Sequence, residues 1–188
     1  MRTHVALLRG INVGGHNKVA MADLRKVVTG LGHQDVTTYI QSGNVVFGSE
    51  PADATVLAST LEEELAERLG IRSSVVVLSR RELSQVVADN PYPQETNPKC
   101  LHAVFHPAQI TPEALAALAA AEGLARDPGS RDEAAVVGRV LFLHTPDGLG
   151  RSELAARLAR PASAKRPETG GTARNWATVS KLMELLDD

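Results

Sequence analysis

The sequence has one cysteine, few aromatic residues and no long apolar run, and each shortage excludes a class of protein. The single Cys100 has no partner for an internal disulfide, which favours a reducing, cytoplasmic environment. Aromatic residues make up only 3% of the chain, so we do not expect stacking platforms for single-stranded nucleic acid. No apolar run approaches the ~20 residues that span a bilayer, and the first residues lack a signal-peptide pattern, so we expect no membrane association.

What the sequence does contain is enough apolar material for a folded core. The 188 residues are 43% hydrophobic and 22% charged, which fits one large domain or two small ones and excludes general disorder. The net charge is +2 over residues 1–50 (five basic, three acidic), −6 over 51–150 (eight, fourteen) and +2 over 151–188 (seven, five). If the two basic ends meet, they form a local positive field; the alternative is a set of scattered, solvated charges.

Residues 4–78 show the element order of a split βαβ, or ferredoxin-like, unit. A buried strand at Val5–Leu8 precedes a glycine-rich loop, Gly10–Lys18, and then apolar residues at helical spacing up to Leu31. An alternating stretch reaches Ser42-Gly43, which indicate a hairpin turn. A leucine-rich helix and a valine-rich strand complete the order.

Residues 79–188 also alternate helices and strands, although no sequence repeat relates the two halves. Ser79 and Glu82 have the spacing of a capping box, and Thr111-Pro112 opens a further helix. The whole pattern predicts an α+β fold of two packed ferredoxin-like subdomains, 1–78 and 79–188. We expect the C-terminal helix to pack back on the N-terminal half, and the polar segment 161–171 to be mobile without a ligand.

The glycine loop is the most suggestive feature. A glycine-rich turn between a strand and a helix offers backbone N–H groups and a positive helix end to an anion. Its spacing matches neither a Walker A loop, which needs Gly-Lys-Ser/Thr, nor the GxGxxG dinucleotide turn. The adjacent Gly14 and Gly15 are explained equally well by a left-handed bend. Because the basic residues Arg9 and Lys18 flank the loop, an anion-binding site remains an open alternative to the bend.

Arg9 and two polar clusters are the other candidates. By the period of two, Arg9 shares a face with Val5 and Leu7, which we expect to lie under the helices; there a guanidinium needs either an anionic ligand or an internal acid. Turn chemistry explains part of the cluster Gln41–Asn44. Near the C-terminus, Asn175 fits a helix N-cap, whereas Arg174 is unfavourable at a helix N-terminus and hints at another purpose.

No pattern indicates a metal, a cofactor or a nucleophile. His102 and His106 lie on one face of a predicted strand but ~13 Å apart, too far to share one metal ion. Cys100 is better explained as a small buried residue than as a nucleophile. We therefore expect no cofactor.

Two distinctive segments carry a resemblance to a known family. They are Leu7–Gly15 and Tyr39–Phe47, and further matches lie at Gly150-Arg151-Ser152 and Thr172–Trp176. The chain resembles the bacterial family catalogued as domain of unknown function number 1697, except that Glu153-Leu154 replaces the usual lysine-leucine pair and Ala20 a frequent proline. The resemblance implies an α+β protein of two ferredoxin-like subdomains and no established activity.

Three functions are open on these grounds. The leading one is a cytoplasmic protein that binds an anion, either a phosphorylated small molecule or a nucleic-acid backbone. The second is an enzyme on a phosphorylated or carboxylated substrate, and the third is an interaction module in which the polar residues only join the two halves. The candidate ligand-binding residues are Arg9, Asn12, Gly14, Gly15, Asn17, Lys18, Gln41, Ser42, Asn44, Arg151, Ser152, Arg174, Asn175 and Lys181.

Overall fold

The computed structural model describes residues 1–15, 17–125, 129–159 and 171–188. The chain divides into two compact units, which we describe separately: unit 1 comprises Met1–Ala88 and Ser180–Asp188, and unit 2 comprises Asp89–Val179. The subdomain boundary expected after residue 78 stays a prediction. Of the segment 161–171, only Gly171 is among the described residues, so the expectation that this segment is mobile lies outside them.

Unit 1 is a four-stranded antiparallel sheet covered by helices, in the order βαββαβα. The strands stand in the order β2-β3-β1-β4, with Val5 of β1 opposite Val46 of β3 and Leu78 of β4. The elements are β1 His4–Leu8, α1 Met21–Gly30, β2 Gln34–Tyr39, β3 Asn44–Gly48, α2 Ala54–Leu69, β4 Val75–Ser79 and α3 Arg80–Ala88.

One face of this sheet packs against α1 and α2. Ala6 and Leu8 of β1 belong to the same buried cluster as Leu24 of α1 and Leu61 of α2. Val5 and Leu7 alternate with them, so they lie on the opposite face, where they are also fully buried. The expectation that Val5 and Leu7 lie under the helices is therefore wrong for α1 and α2, and Arg9 lies beyond the end of β1.

The last residues of the chain belong to unit 1 and are bonded to Arg2, which precedes β1, and to Arg80, the first residue of α3. The Arg2 guanidinium donates to the carbonyl oxygen of Leu185 at 2.9 Å, and Arg80 forms an ion pair with Asp187. Leu186 is fully buried. Both ends of the chain are thus anchored within the same unit.

Unit 2 contains a second four-stranded antiparallel sheet, with strand order β6-β7-β5-β8. Ala103 of β5 lies opposite Phe142 of β7 on one side and Arg174 of β8 on the other. A short 3₁₀ helix precedes α5. The elements are β5 Leu101–Phe105, α4 Pro112–Ala125, β6 Glu133–Val137, β7 Val140–His144, α5 Glu153–Ala159 and β8 Thr172–Asn175. The last helix, α6 Trp176–Asp187, begins in unit 2, and its residues from Ser180 onward belong to unit 1.

The two sheets have the same order of strands in sequence and in space. In each, the first strand lies between the third and the fourth, and the second lies at an edge beside the third. The connections differ: twelve residues, 9–20, join β1 to α1, whereas six residues, 106–111, join β5 to α4. The α+β class is confirmed, while the ferredoxin-like label stays a prediction. Each helix in the described part of the chain is too short or too polar to cross a bilayer.

Candidate functional site

The backbone of the glycine loop is left-handed at five positions. The φ angles are 64° at Gly10, 54° at Asn12, 59° at Gly14, 81° at Gly15 and 47° at Asn17. Glycine adopts this conformation without steric cost, and asparagine tolerates it better than most residues. The composition of the loop is therefore what its backbone path requires.

Asn12 holds the loop together through its carboxamide. Its Oδ1 accepts a hydrogen bond from the backbone N–H of Val19 at 2.9 Å, and its Nδ2 donates to the carbonyl oxygen of Val19 at 3.0 Å. Its backbone N–H donates to the carbonyl oxygen of Asn17, whose own carboxamide donates to the carbonyl oxygen of Gly10 at 3.3 Å. Asn12 and Asn17, both expected to bind ligand, thus act within the loop.

The turn between β2 and β3 adjoins this loop and is held from both ends. Asn12 Nδ2 also donates to the carbonyl oxygen of Gln41 at 2.9 Å. The fully buried Asn44 donates from Nδ2 to the carbonyl oxygen of Tyr39 and to the Ser42 hydroxyl, both at 3.0 Å. Between the two anchored carbonyl groups, Ile40 has a φ of 48°, an outlier for a β-branched residue.

Gly43 brings the turn against the core. A Cβ at this position would lie 2.7 Å from Ile11 Cδ1 and 2.8 Å from Leu8 Cβ, and φ is 80°. The backbone N–H of Leu8 donates to the carbonyl oxygen of Gly43 at 2.8 Å. The turn and the glycine loop are therefore packed onto the end of β1.

The loop and the turn enclose an open pocket of about 460 Å³ at the start of α1. Ala20, the N-cap residue of α1, provides no side-chain hydrogen bond to the first turn. The Lys18 ammonium and the Gln41 carboxamide are exposed and have no hydrogen-bond or ion-pair partner among the described residues. The residues that line the pocket are Asn12, Gly15, Lys18, Val19, Ala20 and Gln41.

Arg9 follows β1 and is exposed. Its backbone N–H donates to the carbonyl oxygen of Ser74 at 2.9 Å, and the Ser73 hydroxyl donates to its carbonyl oxygen at 2.8 Å. Its guanidinium has no partner in the part of the chain that the structure describes, so the internal ion pair considered from the sequence is not found there.

Four of the candidate residues lie in unit 2, and two of them begin helices. Ser152 Oγ accepts a hydrogen bond from the N–H of Ala155, and Asn175 Oδ1 accepts one from the N–H of Thr178, each at 2.9 Å. The N-cap predicted at Asn175 is confirmed. Arg151 is exposed at the end of the 3₁₀ helix. The pKa of Asp147 is lowered mainly by its hydrogen bond with Arg131, and the charge of Arg151 adds to this shift.

Arg174, also in unit 2, is a buried cation. Its guanidinium donates to the Thr172 hydroxyl at 2.9 Å and to the carbonyl oxygen of Ala173 at 2.8 Å. Burial lowers the pKa of Arg174 to about 10, so the side chain remains protonated at neutral pH. The exposed Lys181, in unit 1, is instead paired with Glu184 at 2.8 Å, and this hydrogen bond raises the pKa of Lys181.

Two features of the site were not predicted from the sequence. Alanine at position 20 is visible in the sequence, but the uncapped helix start it leaves becomes significant only when the pocket in front of it is seen. Nothing in the sequence signals the left-handed backbone of Ile40, because isoleucine disfavours that conformation. Within the described residues, no group of three or more histidine, cysteine or acidic side chains could hold a metal ion.

Comparison with protein-family models shows which family the chain belongs to. The model of a family described as protein of unknown function (DUF1697) matches residues 1–142, which include both the glycine loop and the turn. The chain belongs to this family.

A solved structure supports the same fold over nearly the whole length of this family member. It is the conserved bacterial protein SP0830 from Streptococcus pneumoniae, 24% identical, with a TM-score of 0.74 over 98% of each chain. At this identity the likeness concerns the fold alone. No curated protein matches the chain.

Proposed function

We propose that this protein binds a phosphate-bearing small molecule in the pocket between the glycine loop and the β2–β3 turn. The observation that carries the proposal is the position of Lys18. Its ammonium has no partner among the described residues, and it lines the same pocket as Gly15 and the uncapped start of α1. A cation, backbone N–H groups and a helix N-terminus at one site favour an anion.

The comparison of the two sheets supports a role beyond folding. Unit 2 achieves the same strand order with a six-residue first connection, so the twelve residues of unit 1 exceed what the topology needs. The longer connection adds five left-handed residues to unit 1. Such elaboration of a surface loop on a shared scaffold is typical of binding sites.

The charges around α1 are compatible with an anion. Asp23 lies in the first turn of this helix, where its carboxylate competes with an external anion. It forms an ion pair with Lys26 at 3.0 Å, which offsets its charge, and Lys18 remains available at the pocket. The described residues that line the pocket include no carboxylate, so none of them repels an anion there. The single buried cysteine favours a cytoplasmic location.

Thermal unfolding at low salt tests this function with inorganic phosphate, ribose 5-phosphate, AMP and short DNA and RNA. A ligand that binds only the native state raises the melting temperature, and the rise grows with the ratio of its free concentration to its Kd. We expect phosphorylated small molecules to stabilise the wild type and the Lys18→Gln variant to lose most of this effect. Lys99→Gln, which removes an exposed charge in unit 2, is the matched control.

Three results bear on the proposal in different ways. Equal loss of stabilisation in Lys18→Gln and Lys99→Gln indicates a bulk charge effect and contradicts a pocket. Stabilisation by nucleic acid alone, with a steep salt dependence, assigns the loop to a nucleic-acid backbone instead. No stabilisation by any of these compounds leaves the loop with a structural role.

A further inference from the structure

The pocket is larger than a single phosphate group needs. Its volume of about 460 Å³ falls within the range of roughly 300–1,000 Å³ typical of small-molecule sites. Lys18 supplies a cation for one phosphate group at the uncapped start of α1. The rest of the pocket is available to the organic part of the ligand.

The Gln41 carboxamide can form hydrogen bonds with that organic part of the ligand. Its exposed carboxamide lines the pocket and has no partner among the described residues, so one donor group and one acceptor atom remain available. Its backbone is fixed, because Asn12 Nδ2 donates to its carbonyl oxygen at 2.9 Å. A carboxamide pairs in a bidentate manner with an adjacent donor and acceptor on a heterocycle, as on the N6/N7 edge of adenine.

Apolar side chains flank the same residues. Val13, which follows Asn12, is 64% exposed, and Ile40, which precedes Gln41, is 49% exposed. The left-handed backbone of Ile40 is maintained by two asparagine carboxamides, which hold the carbonyl groups on either side of it. Val13 and Ile40 thus supply exposed aliphatic groups next in sequence to two residues that line the pocket, and apolar groups of this kind suit the face of a planar ring.

From these observations we infer that the ligand is a purine nucleoside monophosphate, with its phosphate at Lys18 and the amino-bearing edge of its base at Gln41. This inference rests on the proposed function and adds the class of ligand. It assigns Gln41 as the residue that determines specificity.

Isothermal titration calorimetry with four probes separates the contribution of the phosphate group to the affinity from that of the base. The probes are inorganic phosphate, ribose 5-phosphate, AMP and purine riboside 5′-monophosphate, which lacks the amino group. A good bidentate contact contributes about 1–3 kcal/mol, so we expect AMP to bind about tenfold more tightly than ribose 5-phosphate or purine riboside 5′-monophosphate. Gln41→Leu should remove this tenfold preference and leave the affinity for ribose 5-phosphate unchanged, whereas the exposed Gln94→Leu should change nothing.

The outcomes distinguish this inference from the function it rests on. If wild type binds ribose 5-phosphate and AMP equally well, the base is not read, although the phosphate site stands. If Gln41→Leu weakens ribose 5-phosphate and AMP by the same factor, Gln41 positions the loop and does not select the ligand. If none of the four probes binds, the proposed function fails together with the inference. An unchanged melting temperature of Gln41→Leu without ligand excludes misfolding.

Discussion

The residue type alone does not predict which polar side chains of the candidate site form internal hydrogen bonds and which remain available for a ligand. Asn12 and Asn44 have carboxamides suited to a ligand, yet both use them on the backbone of the loop and the turn. Ser152 and Asn175 likewise begin helices. What remains available for a ligand is the cation of Lys18, the carboxamide of Gln41 and the exposed guanidinium of Arg9.

Replacing Ile40 with asparagine should stabilise the protein. Asparagine is several-fold enriched in the left-handed region that Ile40 occupies at φ 48°, whereas a β-branched residue pays about 1–2 kcal/mol there. Because Ile40 is 49% exposed, little buried apolar area is lost. We expect Ile40→Asn to raise the free energy of unfolding by about 0.5–1 kcal/mol in urea titrations. A loss of stability would show that its side chain contributes more through packing than its backbone costs.

Gly43 and Gly14 allow steric contact to be separated from backbone strain. Both have positive φ, 80° and 59°, but only a Cβ at Gly43 meets neighbouring atoms within 4 Å. Gly14→Ala should cost about 1–2 kcal/mol for the left-handed backbone alone, and Gly43→Ala about 1–3 kcal/mol more because Leu8 and Ile11 must shift. Urea denaturation of the two variants measures the difference. Equal losses of unfolding free energy in the two variants would mean that Leu8 and Ile11 shift to accommodate the new methyl group at little cost.

Helices and strands were largely predictable, because their signals are local. Hydrophobic periodicity, the capping box at Ser79 and the N-cap at Thr111 each mark an element that the structure contains. The face of β1 was not predictable. All five residues of this strand are buried, so no alternation of polar and apolar side chains marks the face that α1 and α2 cover. The sequence therefore assigned Val5 and Leu7 to that face, whereas Ala6 and Leu8 occupy it.

The start of α1 lacks a capping hydrogen bond beside the candidate pocket. Ala20 has the extended backbone of an N-cap, φ −70° and ψ 133°, but no side chain to accept from the first turn. Ala20→Asp supplies that acceptor and should stabilise the protein by about 1 kcal/mol. The same carboxylate occupies the end of the pocket, so phosphate and AMP should lose their stabilising effect.

Urea titration combined with thermal shifts checks both halves of this prediction. Ala20→Ser, which adds a cap without charge, is the control for repulsion between the new carboxylate and the ligand. If Ala20→Asp stabilises the protein and binds AMP as tightly as wild type does, the ligand does not approach the start of α1.

At the scale of the molecule, the two units show which part of the site belongs to the fold. Their sheets have the same strand order although their sequences show no repeat, so the scaffold does not dictate the glycine loop. Sequence reasoning located that loop because glycine density is a local signal. It could not distinguish Gln41, whose exposed carboxamide has no partner among the described residues, from Asn44, whose carboxamide is buried and hydrogen-bonded. That difference depends on which carbonyl groups the tertiary structure places nearby.

Histidines in both units predict how stability depends on pH. Burial lowers the pKa of His4 and His33 in unit 1 and of His102 in unit 2; at His4, Glu82 opposes this shift and His33 reinforces it. His33 packs against Phe47 with ring centroids 4.6 Å apart. A histidine with a lowered pKa binds protons more weakly in the native state than in the unfolded chain. Falling pH therefore favours unfolding from about the unfolded pKa of 6.5 downward.

Carboxylates extend the same trend to lower pH. The N–H of Asn97 and the His144 ring lower the pKa of Glu95, so its contribution to stability is present above its unfolded pKa and is lost as the pH falls through the folded one. We expect the free energy of unfolding in urea to decrease from pH 7.5 to 5.5 because of the histidines, and to decrease further below pH 4.5 because of the carboxylates. His33→Gln should flatten the first decrease but leave the second unchanged. Circular dichroism follows both units, and fluorescence of the single Trp176 follows unit 2. Stability that is equal or greater at pH 5.5 than at 7.5 would contradict a lowered pKa for the buried His4 and the half-buried His33 and His102.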